Sequence, residues 1–464
     1  MKTHKFFSLL LAALLLLGGT ACEDLVDDFE EDPNNAPDAP TATIINSVLV
    51  SGISATEGEY ARLAAMWSRQ YTGQDRQYSA YHNYVTGAGD FDWDTYYVYT
   101  TSQADIVIDR ATEFDNRLTK GIMLTHKALM FGTATSVWGD IPFSEANRFP
   151  EIEDPAFDAQ SEVYAGVQAL LDEAIADFGS GLGGTVDEGG VSYNDFYFGG
   201  DAAAWSAAAN TLKARYFMHT GNYASAISAA QSGISSPAGD MTNKHTGGNY
   251  GQDMNLYYSF IQVDRNDYFG ANDSYMATLV DPASDTYRGN AKTDESARFT
   301  FLYTSSPDYF PNTSDDGMFA ATAEFPVVTY VENQLILAEA YARTGNAAAA
   351  ITALNGARSA HAAQFGTMYE DYVMADFQSG GIANGGQDME TALLMEILEE
   401  KYISMAGQIE AFNDVRRTDN ALGIPPVTGS MIPQRFLIPQ DEINANANAP
   451  SPIPDLFDPT PVNQ

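Results

Sequence analysis

The segment 214–227, ARYFMHTGNYASAI, reads as a near copy of 338–351, AEAYARTGNAAAAI. With the two laid over one another, Ala214, Phe217, Gly221, Ala224 and Ala226 fall on Ala338, Tyr341, Gly345, Ala348 and Ala350. Each copy has a large aromatic near the end of a helical stretch, a Gly able to close it, an Asn in the turn and alanines beyond. Small residues at a helix crossing let two axes approach closely, so each copy predicts a helical hairpin. A chain with two such hairpins is committed to helix-on-helix packing in at least part of its core.

This is the logic of a tetratricopeptide repeat, but the copies lie 124 residues apart in the chain, where a contiguous array repeats every ~34. An inserted region at about 234–326 is the expectation. Apolar residues at three- and four-residue spacing predict helices over 60–71, 95–114, 121–138, 161–178, 202–219, 223–233, 328–343, 347–361 and 391–416. Long loops rich in Gly, Asn, Asp and Tyr separate them, chiefly 74–94, 179–200, 234–326, 362–390 and 418–464. That is more loop than a plain helical array needs, and it points to a scaffold carrying functional decorations. Hydrophobic residues at 45% and aromatics at 12% are ample for a large packed core.

The N-terminal end reads differently. Met1 to Lys5 is a short positive start and Phe6 to Leu17 an apolar run, too short for the ~20 residues a bilayer span requires. Residues 1–21 therefore predict a signal peptide, ending in Gly18, Gly19, Thr20 and Ala21 directly before Cys22. Small residues before a cysteine resemble a bacterial lipobox, although Gly19 stands where Leu or Val is usual. Cys22 is the chain's one cysteine, so no intramolecular disulfide is possible and the thiol is the expected lipidation site. Residues 22–40 are acidic and Pro/Asn-rich without periodicity, which predicts an extended tether. With 23 Lys and Arg against 62 Asp and Glu, the formal charge is −39. Such a surface repels phosphate backbones and anionic headgroups, so nucleic acid is not an expected partner. Membrane attachment would come through acyl chains alone.

Catalytic motifs are absent: the sequence has no His-Glu-x-x-His, no Gly-x-Ser-x-Gly, no phosphate loop and no Cys-x-x-Cys. Its six histidines show no metal spacing, and neither a metal nor a cofactor is expected. Paired carboxylates suited to glycoside hydrolysis are left open, because that chemistry depends on separation in space. Asp90, Asp92 and Asp94 alternate as in a calcium loop, but the sixth and twelfth positions are both Thr, and a solvated turn is the simpler reading. Trp138 and Trp205 read as core, while Trp93 fits either a core or a loop edge.

Glycan capture needs flat apolar faces for sugar rings and amide or carboxylate groups for their hydroxyls. The richest such stretch is 71–93, where Tyr71, Tyr78, Tyr81, Tyr84, Phe91 and Trp93 interleave with Gln74, Asp75, Arg76, Gln77 and Asn83. A second, 255–275, carries Tyr257, Tyr258 and Tyr268. The alternative for both is a hydrophobic cluster that pins a long loop to the body.

Five segments in order carry a resemblance: CEDLVDDFEEDPNNAP (22–37), ALMFGTATSVWGDIPFSEA (128–146), AAWSAAANTLKARYFMHTGNYASAI (203–227), ILEEKYISMAGQIEAFNDVRRTDN (397–420) and PQRFLIPQDEINANANA (433–449). Together they resemble the SusD/RagB-type nutrient-binding outer-membrane lipoproteins of Bacteroidetes. The resemblance implies a mostly α fold over 41–464 as a single domain, with tetratricopeptide-like hairpins as scaffold and loops and short strands decorating it. It further implies a non-enzymatic, surface-exposed lipoprotein that captures a glycan, or in some members a peptide. Such a protein would act as a lid delivering its ligand to a TonB-dependent transporter of the SusC type. A surface hydrolase and a purely structural lid are the rivals from other classes.

Overall fold

A computed structural model describes residues 39–187, 192–248 and 253–464. The expected leader, Cys22 and nearly all of the tether lie outside these residues. The chain opens with α1 (Thr41–Glu57) and α2 (Glu59–Trp67), followed by the short α3 (Arg76–His82), α4 (Ser102–Glu113) and α5 (Arg117–Trp138). Next come α6 (Gln160–Gly179), α7 (Ala202–His219), α8 (Tyr223–Ala230), α9 (Ser296–Leu302), α10 (Tyr330–Arg343) and α11 (Ala347–Phe365). Two further helices, α12 (Met389–Ser404) and α13 (Ile409–Arg417), complete the scaffold. Among the described residues the strands form four two-stranded antiparallel pairs, β1 (Thr72–Gly73) with β5 (Phe269–Gly270), β2 (Ile141–Pro142) with β3 (Phe157–Asp158), β4 (Met241–Asn243) with β8 (Phe325–Val328) and β6 (Tyr303–Thr304) with β7 (Phe310–Pro311), beside a few isolated bridges. The fold is thus mostly α, as expected.

The repeated hairpins form as their sequences dictate. Gly221 and Gly345 take φ of 68° and 79°, the left-handed region in which Gly carries no steric penalty. The Asn that follows each Gly caps the next helix: the Asn222 side chain accepts from Ser225 N and Asn346 from Ala349 N. Asn222 N and Asn346 N both reach back to the aromatic of the first helix, donating to Phe217 O and Tyr341 O at 2.9 Å. Although distant in sequence, the hairpins touch. Ala214, Met218, Ala226, Ala229 and Ala230 of α7 and α8 form one apolar cluster with Ile336 and Ala340 of α10. Antiparallel pairing of β4 (Met241–Asn243) with β8 (Phe325–Val328) then brings the two ends of the intervening stretch side by side.

α5 is buried along almost its whole length, from Leu118 to Trp138. It packs against α4, α6, α7 and α1, so every face is covered and it carries no polar stripe. Trp138 and Trp205 are fully buried and satisfy their indole N–H groups on Leu437 O and the Asp195 carboxylate.

Three helix expectations need correction. α1 lies ahead of the first periodic stretch identified in the sequence, and α3 sits inside the expected 74–94 loop, started by the Asp75 side chain that accepts from Arg76 N. The expected 391–416 helix is two helices. Gly407 breaks it at φ 72°, donating its N–H to Gln70 Oε1 at 3.0 Å and accepting the Tyr257 hydroxyl at 2.6 Å.

Candidate functional site

The two Tyr-rich stretches meet in space. β1 (Thr72–Gly73) pairs with β5 (Phe269–Gly270), Thr72 opposite Gly270 and Gly73 opposite Phe269. Gln74 N extends the contact to Tyr268 O at 2.8 Å. Most of the rings in this seam face inward. Tyr71 is 0% exposed, enclosed by Phe269, Tyr303 and Phe319 at centroid distances of 5.2–5.4 Å. Tyr78 is 1% exposed and stacks on Phe260 at 4.7 Å, and Tyr257 is 0% exposed and stacks on Phe319 at 4.3 Å.

Tyr81, Tyr84 and Trp93 are also buried. Tyr81 donates to Asp90 Oδ1 at 3.1 Å, and the Tyr84 hydroxyl accepts from Val427 N at 2.9 Å. Trp93 packs on Tyr97, Trp138 and Phe157. The expectation that these six rings offer open stacking faces is corrected by their burial: aromatic area this large is removed from water by neighbouring rings before any ligand arrives. For them the pinning-cluster reading describes the geometry.

The remaining expected residues are accessible. Tyr258, Tyr268 and Gln74 are half-buried, while Asp75 and Asn83 are exposed. Asp90, Asp92 and Asp94 do not converge. Asp90 Oδ2 accepts from Gly87 N and the Thr86 hydroxyl, whereas Asp92 Oδ1 accepts from Asp94 N. No cluster of three or more His, Cys, Asp or Glu that could hold a metal occurs among the described residues.

Beside the seam lies a cleft of about 240 Å³ whose walls include Glu59, Tyr60, Arg62, Asp92, Ser259, Phe260 and Asp264. Tyr60 and Arg62 come from α2, Asp92 from the DFDWD segment, and Ser259, Phe260 and Asp264 from a π-helical turn, Ser259–Asp264. Tyr60 is fixed by a reciprocal pair of bonds to one residue: its hydroxyl donates to Asp92 O at 2.8 Å and accepts from Asp92 N at 2.7 Å. Arg62 donates Nε to the Tyr78 hydroxyl at 2.9 Å and lays its guanidinium over the Phe260 ring, 4.2 Å from the centroid. This cation–π contact ties the helix to the turn. Buried Tyr78 thus supports the cleft from behind.

Glu59 and Asp92 are exposed residues, and partial desolvation of their carboxyls within the concave cleft raises both above the ordinary carboxylate range. At Glu59 the Arg62 charge opposes the rise, and Asp92 and Asp90 add to it. The cleft therefore combines half-buried Tyr60 and Phe260 with carboxyl groups and a fixed cation, the mixture that grips a polyhydroxylated ring. Sequence reasoning missed Glu59, Tyr60, Arg62 and Phe260 as a group. A signal existed in Glu59 and Arg62, one helical turn apart and charged, in a segment otherwise rich in apolar residues.

The description of the SusD-like family, "Starch-binding associating with outer membrane", belongs to a family model that matches residues 33–439. The chain is a member of this SusD-like family. Solved structures share its fold. A SusD/RagB family protein from Bacteroides thetaiotaomicron superposes with a TM-score of 0.64 at 19% identity, covering 89% of this chain and 95% of that one. A chitin-binding SusD homologue from Flavobacterium johnsoniae gives 0.64 at 16%, covering 87% and 94%. A SusD homologue from Parabacteroides distasonis gives 0.66 at 16%, covering 87% and 92%. No curated protein matches the chain. Among the described residues no helix is long and apolar enough to cross a membrane.

Proposed function

We propose that the chain binds an extracellular glycan in the cleft between α2 and the 259–264 turn and passes it, as a lid, to a TonB-dependent outer-membrane transporter of the SusC type. The observation that carries this reading is the meeting of Tyr60 and Phe260 with Glu59, Arg62 and Asp92 in one concave space beside the joined Tyr-rich stretches. The accessible parts of Tyr60 and Phe260, rings held in place by Phe91, Tyr96, Trp138 and Phe436 and by Tyr78 and Arg62, give a sugar ring an apolar wall, and the carboxyls and guanidinium take its hydroxyls. Tyr258, Tyr268, Gln74, Asp75 and Asn83 extend the surface as its rim. The formal charge of −39 favours neutral over acidic glycans. Acyl chains on Cys22 hold the protein at the outer face of the outer membrane, and the acidic tether gives it reach.

The chitin-binding relative makes chitin fragments the first ligand to try, with starch fragments second because of the family's description. Calorimetric titration against both and against oligopeptides, with reducing-end release followed in parallel, separates the readings. Saturable glycan binding without release is expected. Phe260→Ala and Asp92→Asn should each weaken it at least tenfold, about 1.4 kcal/mol. Full-strength binding by both variants would place the site elsewhere, binding of peptides alone would replace the ligand class, and release of reducing ends would make the chain a hydrolase.

A further inference from the structure

A second cavity, about 220 Å³, opens where the β4–β8 pair meets α9, α11 and the end of α12. Its volume, like that of the cleft beside Tyr60, is below the ~300–1,000 Å³ of sites that enclose a drug-sized ligand, so it has room for about one ring at a time. The Phe301 and Phe365 rings form one wall, 5.5 Å apart and tilted by 56°. Leu302, Met318, Val331 and Ile403 add apolar surface. None of these residues lines the glycan cleft.

Around the cavity two carboxyls, half-buried Asp240 and exposed Glu324, stand against one arginine, and Gln364 at the rim offers an amide with both donors and an acceptor. Arg298, the cation of the wall, is already spent: Nη1 donates to Glu400 at 2.7 Å with Glu295 at 3.5 Å, and Nη2 donates to Ser404 Oγ at 2.8 Å. His361, 4% exposed, places Nε2 3.1 Å from both the Glu400 carboxylate and Ser404 Oγ. A carboxylate only accepts, so the ring proton sits on Nε2, and Nδ1 is a bare acceptor with no partner. Across the cavity Asp240 accepts from Tyr330 N at 2.6 Å, and Glu324 accepts from the Thr242 hydroxyl at 2.5 Å. Neither carboxyl has an ion-pair partner within 4 Å among the described residues.

We propose that this cavity is a second ligand site that takes a small organic ammonium, with Asp240 receiving the cation and Phe301 and Phe365 holding an aryl or alkyl body. An ammonium supplies N–H donors to carboxylate and imidazole acceptors and a positive charge to two carboxyls that have no ion-pair partner among the described residues. A cation beside aromatic faces gains further. A carboxylate ligand would meet Asp240, Glu324 and an arginine already neutralised, and a neutral alcohol would bring one donor and no charge.

Burial, with the charge of Glu332 adding and the Tyr330 N–H opposing, pushes the Asp240 carboxyl up to about 7. The other charged neighbours around it are Glu324 beside β8, Arg298 of α9 and Glu332 of α10, which is itself paired with Arg215. His361 of α11 is held neutral by burial and by Arg298, against the pull of Glu400. A simple ammonium keeps its proton to about pH 10. Binding therefore requires Asp240 to ionise, and affinity rises about tenfold from pH 6 to pH 8.

The test is calorimetric titration of the whole chain with phenethylamine, phenethyl alcohol and phenylacetate at pH 6 and pH 8. The amine alone should bind, about tenfold more tightly at the higher pH. Asp240→Asn keeps the acceptor for Tyr330 N and should abolish the pH dependence while weakening amine binding. Phe365→Ala should weaken it with the pH slope intact, and Phe260→Ala in the glycan cleft should leave it unchanged. Equal binding of amine and alcohol, a pH-independent amine affinity, or no binding of the amine at millimolar concentration would overturn the proposal.

Discussion

Arg215, buried on α7, donates Nε and Nη2 to the two carboxylate oxygens of Glu332 at 2.5 and 2.6 Å and gives Nη2 also to Val327 O. Glu410 of α13 lies beyond it and receives His219 Nε2 at 2.8 Å. Burial works to raise the Glu410 carboxyl, but His219 and Arg215 outweigh it and hold the group well below its ordinary range. Glu339 is placed likewise among Arg417, Lys401 and Arg343. A carboxylate lowered in the folded state contributes stability that is complete above its unfolded value of ~4.3 and is lost as pH falls below it. Glu410→Gln removes the carboxylate that His219 Nε2 meets while Arg215 keeps Glu332, and should cost about 1–3 kcal/mol at pH 7. Thermal melts should show that gap narrowing below about pH 4. A gap that does not narrow at all between pH 5 and pH 3 would mean that packing rather than charge carries the effect.

At the scale of elements, the hairpin turns are the most direct link from residue to architecture. An added methyl at Gly221 or Gly345 meets no atom within 4 Å, so the cost of alanine there is the left-handed backbone alone. Gly221→Ala and Gly345→Ala should each lose about 1–2 kcal/mol. Asn346→Ala should lose about 1 kcal/mol with its cap. Urea unfolding of the three variants checks both figures, and unchanged midpoints would show that the turns do not set the hairpins. These elements were legible in sequence because their causes are local: a Gly for φ, an Asn for the cap, alanines for the crossing. α3 was not legible because Asp75 and seven residues give too short a period to read. The 391–416 split was missed because Gly407 is held open by Gln70 and Tyr257, residues remote in the chain.

The same division between local and distant causes governs the site. That 71–93 and 255–275 belong together was half legible, since each showed aromatics among amides. Which rings stay open was not. Tyr71 is closed by Phe319 and Tyr257 by Phe319 and Phe325, contacts that only the β1–β5 seam and the folded 255–325 stretch create. Stacking residues and core residues have the same composition, and burial alone separates them.

For the whole molecule, the proposed function needs two features to act together: an anchor and a cleft. Cys22→Ser, expressed as the full 464-residue sequence, should leave the protein soluble after cell fractionation if the proposed lipid is the anchor. Retention with the membranes would remove the lipid from the mechanism. The cleft is tested most directly by a crystal structure of the chain with a neutral oligosaccharide that binds it. The expected result is a sugar ring within ~4 Å of Phe260 with its hydroxyls on Asp92, Glu59 or Arg62. A ligand bound elsewhere, with the cleft between Tyr60 and Phe260 empty, would contradict it.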